Sequence, residues 1–191
     1  VQPHPRFSAD WTAFYHDYDD LRSTVGLPLE LRLSPVPHLA FPATVNNALY
    51  GESYGTEISA RWQPLDAWRL RAAYSFQGLQ LHARGPVPSQ TEIDEGLNPQ
   101  QQLALWSDLD LGRQVEWGVG LRYVDELPTT PIAAYVAFEA RLAWKPTPRC
   151  ELAIIGRNLF DPHHREYPPE IITYRYTEVD RAVYAKVTWR F

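Results

Sequence analysis

The last eleven residues constrain the fold more than any other stretch. In Arg181-Ala182-Val183-Tyr184-Ala185-Lys186-Val187-Thr188-Trp189-Arg190-Phe191, the side chains of Val183, Ala185, Val187, Trp189 and Phe191 fall on one side of an extended chain, and Lys186, Thr188 and Arg190 on the other. A period of two is the signature of a strand lying between two unlike environments. Soluble proteins seldom finish on an ordered apolar strand, because termini fray and are polar. The segment predicts a closing strand of a membrane β-barrel, one face in lipid and the other in water.

Composition agrees with strands and removes several classes. Aromatic residues make up 13 % of 191, including 7 Trp and 11 Tyr, which favour strands and apolar-to-water boundaries. Seventeen prolines argue against long helices. A net charge of -5 provides no basic footprint for nucleic acid. Cys150 is the single cysteine, so an intrachain disulfide and a cysteine metal cluster are both excluded. No run of some 18 apolar residues is present, which rules out a spanning helix. The mean hydropathy of -0.38 is compatible with a barrel, where only alternate residues meet lipid. With no Met in the chain, Val1 is not a translation start, and the chain is expected to be a processed or truncated piece.

Eight alternating segments predict strands near residues 6–22, 47–63, 68–78, 101–111, 115–125, 134–145, 150–160 and 182–191. Ile58, Ala60 and Trp62, then Trp68, Leu70, Ala72, Tyr74 and Phe76, then Trp117, Val119, Leu121 and Tyr123 trace the oily face. Arg69, Arg71, Asp108, Asp110, Glu116, Arg122, Glu139 and Arg141 trace the other. Connections alternate: tight at 63–67, 112–114 and 146–149, long or irregular at 23–46, 79–100, 126–133 and 161–181. Antiparallel neighbours place successive connections on opposite rims, so one rim carries turns and the other loops, the asymmetry of outer-membrane barrels. Trp11, Trp62, Trp68, Trp117, Trp144 and Trp189 collect toward the turn rim, while Tyr15, Tyr50, Tyr74, Tyr123 and Tyr135 lie toward the other, as in two aromatic girdles. Alternation alone leaves open whether the apolar face meets lipid or an internal cavity; the girdle and the terminal Phe favour lipid.

Several stretches resemble one family. Glu151-Leu-Ala-Ile-Ile-Gly-Arg-Asn158-Leu159-Phe160-Asp161 with Tyr167 is similar to the penultimate strand of TonB-dependent outer-membrane receptors. Tyr54-Gly55-Thr56-Glu57-Ile58-Ser59-Ala60 before Trp68 to Ser75 resembles a hairpin of that family, and Phe14-Tyr15-His16-Asp17-Tyr18-Asp19-Asp20-Leu21 one of its strand endings. Asn98-Pro99-Gln100 and the stretch from Tyr135 to Pro146 fit in order and spacing. The resemblance implies an all-β, antiparallel up-and-down transmembrane barrel of about 22 strands around a plug, of which residues 1–191 would form the carboxyl-terminal eight or so. It also implies residence in the outer membrane of a Gram-negative bacterium and uptake of a scarce nutrient, commonly a ferric siderophore, with TonB engaged only through an upstream part. It implies no catalysis and no cofactor. The last strand, Val183, Ala185, Val187, Trp189 and Phe191, would be read by the barrel-assembly machinery. Two rivals stand beside this reading: a complete eight-stranded barrel serving as anchor or adhesion module, and a soluble lipocalin-like binder.

Candidate ligand contacts lie in the expected loops. His82, Arg84, His163, His164, Arg165 and Tyr167, with Tyr174 and Arg175, offer charge and hydrogen bonds to an anionic chelate. His38 joins the loop histidines, but three separate loops carry them, so plain loop surface outweighs a metal site. Asp17, Asp19 and Asp20 fit a turn at the rim better than a calcium site, since a strand splits them between faces. Asp108 and Asp110 are expected to be neutralised by Arg69, Arg71 or Arg122 in a hydrated network, and no spacing supports a catalytic triad.

Overall fold

A computed structural model describes residues 4–85, 95–168 and 176–191. Every regular element among them is a strand: β1 (Phe7–Gly26), β2 (Glu30–Arg32), β3 (His38–Ala40), β4 (Ala43–Leu65), β5 (Trp68–Ala83), β6 (Gln101–Leu111), β7 (Val115–Val124), β8 (Tyr135–Thr147), β9 (Cys150–Arg157), β10 (His163–His164), β11 (Val179–Asp180) and β12 (Ala182–Trp189). Eight of them form one sheet in the order β1-β4-β5-β6-β7-β8-β9-β12. Each neighbour is antiparallel, and β1 and β12 are its two edges. This is part of a barrel wall, not the closed eight-stranded barrel or the lipocalin-like cup.

All three tight turns are as expected, with Gly112 at φ 79° supplying one left-handed position. Strand limits differ at the opposite rim. The stretch 23–46, expected as a loop, is largely paired: β1 runs on to Gly26 against Ala43, and β2 and β3 form a small hairpin beyond. Likewise β5 reaches Ala83 instead of ending near 78. The apolar alternation there is interrupted or changes side: Pro28, Pro35, Pro37 and Pro42 break the run of Leu27, Leu29, Leu31 and Leu33, and Leu79, Leu81 and Ala83 fall on the face of Arg69 and Arg71. A bulge between Tyr18 and Leu21, with Asp20 at φ 54°, sits where the three aspartates were assigned to a rim turn. β9 ends at Arg157 and not at 160, because Asn158 adopts φ 51°, and its side-chain amide donates to the Asp180 carbonyl at 3.3 Å. β12 stops at Trp189, although the Arg190 amide still donates to the Arg149 carbonyl at 2.9 Å.

Register joins the oily sets into continuous rungs. Ala60, Ala72, Leu105, Leu121 and Phe138 lie side by side, as do Trp68, Leu109, Trp117, Leu142, Ile154 and Ala185. These side chains have no protein layer over them: Trp11 is 72 % exposed, Ile154 58 % and Val187 68 %. The opposite face holds the small buried residues Ala137, Ala143 and Ala153 among charged ones. A wide uncovered apolar face on this scale needs an apolar neighbour.

The tryptophans do not share one rung. Trp11 pairs with Ile58; Trp62 is four residues from that rung, Trp68 and Trp117 six, Trp144 eight and Trp189 ten. That is roughly 34 Å along the strands over a similar distance across seven strand spacings, so the six lie on a line inclined about 40–45° to the rungs. Barrel strands tilt by this amount in a membrane, which brings the line level. The second belt is looser. Tyr15, Tyr50, Tyr74 and Tyr123 share the apolar face, but Tyr135 belongs to the charged face, where it stacks on His164. Its position directly before Val136 reverses its side, since successive strand residues alternate.

Candidate functional site

The charged face carries a ladder of ion pairs near the turn rim. Arg69 donates twice to Asp110, at 2.7 Å each, and Arg71 pairs with Asp108 at 3.0 Å while lying over the Trp106 ring at 5.4 Å. One strand pair further, Arg141 bridges Glu116 at 3.2 Å and Glu151 at 2.6 Å, and Lys145 adds to Glu116. Arg157 and Glu139 continue it at 3.9 Å. Gly118 and Gly120 make room: a Cβ at Gly120 would stand 3.1 Å from the Trp106 ring. The pairs run diagonally from one rung to the next, since Arg69 faces Asp108 in register and Arg141 faces Gly118, and opposite charges thus meet across strands, which suits a water-lined surface. The expected neutralisers Arg69 and Arg71 are confirmed, whereas Arg122 has another partner.

Arg122 serves a second cluster at the loop rim. Its guanidinium donates to Glu166 Oε1 at 2.8 Å, and His164 Nε2 lies 3.1 Å from the same oxygen. The His164 ring stacks on Tyr135 with centroids 4.1 Å apart, and Arg122 lies over Tyr135 at 5.3 Å. His164 Nδ1 is 2.9 Å from Asp161 Oδ2, out of line for a hydrogen bond. Only 8 % of the His164 side chain is exposed. A cavity of about 260 Å³ opens beside this cluster, lined by Arg122, Tyr135, Glu166 and Tyr167 together with Asn98 and Asp125. Its floor is firm: Leu127 and Ile132 line it, are buried and pair with one another.

Burial pushes the Glu166 carboxyl up, but the hydrogen bonds from His164 and Arg122 outweigh it and hold the group below the usual carboxylate range. A depressed folded value contributes stability above the ordinary carboxylate pKa of about 4.3 and loses it as pH falls through the depressed value. Hydrogen exchange of residues 161–167, corrected for intrinsic rates, is therefore expected to stay flat from pH 7 to about pH 5 and to rise only in more acid solution. A rise already complete at pH 6 would remove Glu166 as its cause.

The sequence candidates divide between two places. His82 packs tilted against Tyr50, with ring centroids 5.1 Å apart, and Arg84 lies over the same ring and pairs with Asp19 and Asp20 at the far end of β1, β4 and β5. His163, Arg165 and Tyr167 belong to the last connection: Arg165 pairs with Glu178 at 3.3 Å and lies over Tyr176, His163 is 4.0 Å from Glu178, and Tyr167 is exposed. His38 hydrogen-bonds the Val36 carbonyl in the outer hairpin. Tyr174 and Arg175 lie outside the described residues. Among the described residues no three His, Cys, Asp or Glu side chains are placed to hold a metal ion. Glu166 escaped the sequence reading, because an acidic residue is a poor candidate for an anion site; its place between His164 and Tyr167 was the available signal.

Comparisons with known proteins agree with this geometry. The family model for the β-barrel of TonB-dependent receptor-like proteins matches residues 2–159. No curated protein sequence matches the chain significantly. Among solved structures, the ferric-catecholate import receptor Fiu from E. coli K12 in its closed form is 19 % identical with a TM-score of 0.70, over 97 % of this chain and 25 % of that one. The copper transporter OprC is 15 % identical with a TM-score of 0.68, over 98 % and 29 %. The siderophore receptor PiuA from Acinetobacter baumannii is 18 % identical with a TM-score of 0.66, over 96 % and 26 %. At such identities the likeness speaks for the fold, and the chain spans between a quarter and a third of those receptors.

Proposed function

The chain belongs to the TonB-dependent receptor family as part of its outer-membrane β-barrel, and from that premise we propose that it forms the carboxyl-terminal wall of a receptor importing a scarce nutrient, a ferric siderophore first among them. The observation that carries this reading is the pairing of one uncovered apolar face, which runs across the eight strands, with an opposite face laced by ion pairs from β5 to β9. Lipid takes the first and the water-filled or plugged lumen the second. TonB acts through a part outside this chain, Trp189 and Phe191 are read by the assembly machinery, and the wall itself does no covalent chemistry. One of the similar structures is named a ferric-catecholate import receptor, one a siderophore receptor and one a copper transporter, which favours a metal-bearing nutrient as the cargo.

The test is uptake by the whole receptor that carries this chain, expressed in a strain without its own siderophore receptors, with and without working TonB. Cell-associated iron from a panel of ferric siderophores, and copper in parallel, is the readout. Uptake that requires TonB is expected. Entry independent of TonB would make the barrel a passive pore, and accumulation of copper alone would replace the siderophore.

A further inference from the structure

The cluster at Glu166 has a feature that ion pairing alone does not require. One carboxylate oxygen, Oε1, meets both the Arg122 guanidinium and His164 Nε2. Arg122 and Tyr135 belong to β7 and β8 of the wall, and His164 to the β10–β11 pairing, where it faces Val179. Glu166 itself lies two residues beyond that pairing, in a stretch without regular structure. The donors are therefore held by strands, and the acceptor sits in the irregular stretch that follows His164. The adjoining cavity gives an incoming molecule access to the same guanidinium.

We propose that Glu166 is an internal stand-in for an anionic ligand: it occupies an oxyanion subsite made by Arg122 and His164, and an oxygen-rich anionic cargo displaces it and loosens residues 165–168. Charge decides between displacement and simple addition. Asp125 also lines the cavity, and Asp161 stands against His164 at 2.9 Å. The cluster and its cavity thus hold three carboxylates, of which Glu166 contacts the Arg122 guanidinium, so a further anion is repelled unless one of them leaves. Of the three, Glu166 holds the donors an anion needs, and its departure removes one negative charge as the anion arrives. A bidentate catecholate or carboxylate edge matches a guanidinium fork as well as Glu166 does. The inference rests on the uptake reading for the class of cargo, while the Glu166 contact itself stands independently of it.

The experiment uses the intact receptor in outer-membrane vesicles, with ferric tris-catecholate, a trianion, as the probe. Equilibrium binding and hydrogen exchange of residues 165–168 are both measured. Glu166→Gln is expected to bind the probe on the order of tenfold more tightly, because the competitor has lost its charge, and to exchange faster even without probe. In the unaltered receptor, saturating probe should raise exchange of this segment to the level of Glu166→Gln. Arg122→Gln should weaken binding by a similar factor. Binding that leaves exchange unchanged, or a Glu166→Gln receptor that binds no better, overturns the displacement while sparing the uptake reading. Absence of probe binding in every form overturns both for anionic ferric chelates, and TonB-dependent uptake of another cargo then tells whether the receptor assignment itself survives.

Discussion

Leu105→Arg is expected to destabilise the barrel in lipid by on the order of 2–4 kcal/mol, the cost of placing a guanidinium near the bilayer midplane on the lipid face. Leu105 is 42 % exposed, on a rung between Ala72 and Leu121. It stands about four residues from the inclined line of tryptophans, which at barrel tilt is roughly 10 Å toward the bilayer centre. The control is Ala104→Gln, one residue away and opposite Arg122 on the charged face, where a polar side chain meets water and the expected change is within about 1 kcal/mol. Urea unfolding of the receptor refolded into phospholipid vesicles measures both. Equal costs would mean that the apolar face does not lie in lipid, and a larger cost at Ala104 would invert the assignment of faces.

Arg141→Met is the second large effect, expected at about 1–3 kcal/mol. Arg141 links three strands: it stands on β8, donates to Glu116 on β7 and to Glu151 on β9, and only Lys145 shares those carboxylates. Its removal leaves two negative side chains facing each other with one cation. Breaking a fully buried pair costs about 3–5 kcal/mol; here 37 % of the Arg141 side chain is exposed, so solvent screening lowers the figure. The charge argument makes a sharper demand on the double variants. Adding Glu116→Gln to Arg141→Met should recover part of the loss, because one unbalanced carboxylate goes with the lost cation. Strict additivity in the same vesicle unfolding assay would show that Arg141 acts through packing of its stem and not through its charge.

Both effects depend on a division of faces that is local in origin. Val183, Ala185, Val187 and Trp189 take one side of β12 and Lys186 the other for the same geometric reason that Leu105 and Ala104 part company on β6. A period of two is visible in any single strand, so the eight strands, the three tight turns and the two faces of the wall were legible from the residues alone. The ion-pair partners of Arg69 and Arg71 were legible for a related reason, since β6 lies beside β5 and its carboxylates are Asp108 and Asp110.

Legibility ended where both faces of the chain meet the same surroundings. β1 continues about 15 residues past Trp11, roughly 50 Å of strand, which exceeds the apolar band of a membrane, and between Ser23 and Asn46 four prolines interrupt the leucine alternation that would mark the pairing. Tertiary structure alone decided that this stretch is a projecting hairpin and that Glu166 and not a neighbouring strand supplies the partner of Arg122. The physical reason is common to both. Alternation reports on the medium each residue faces, which the sequence encodes one strand at a time, whereas register, tilt and contacts between distant connections arise only when the strands are assembled.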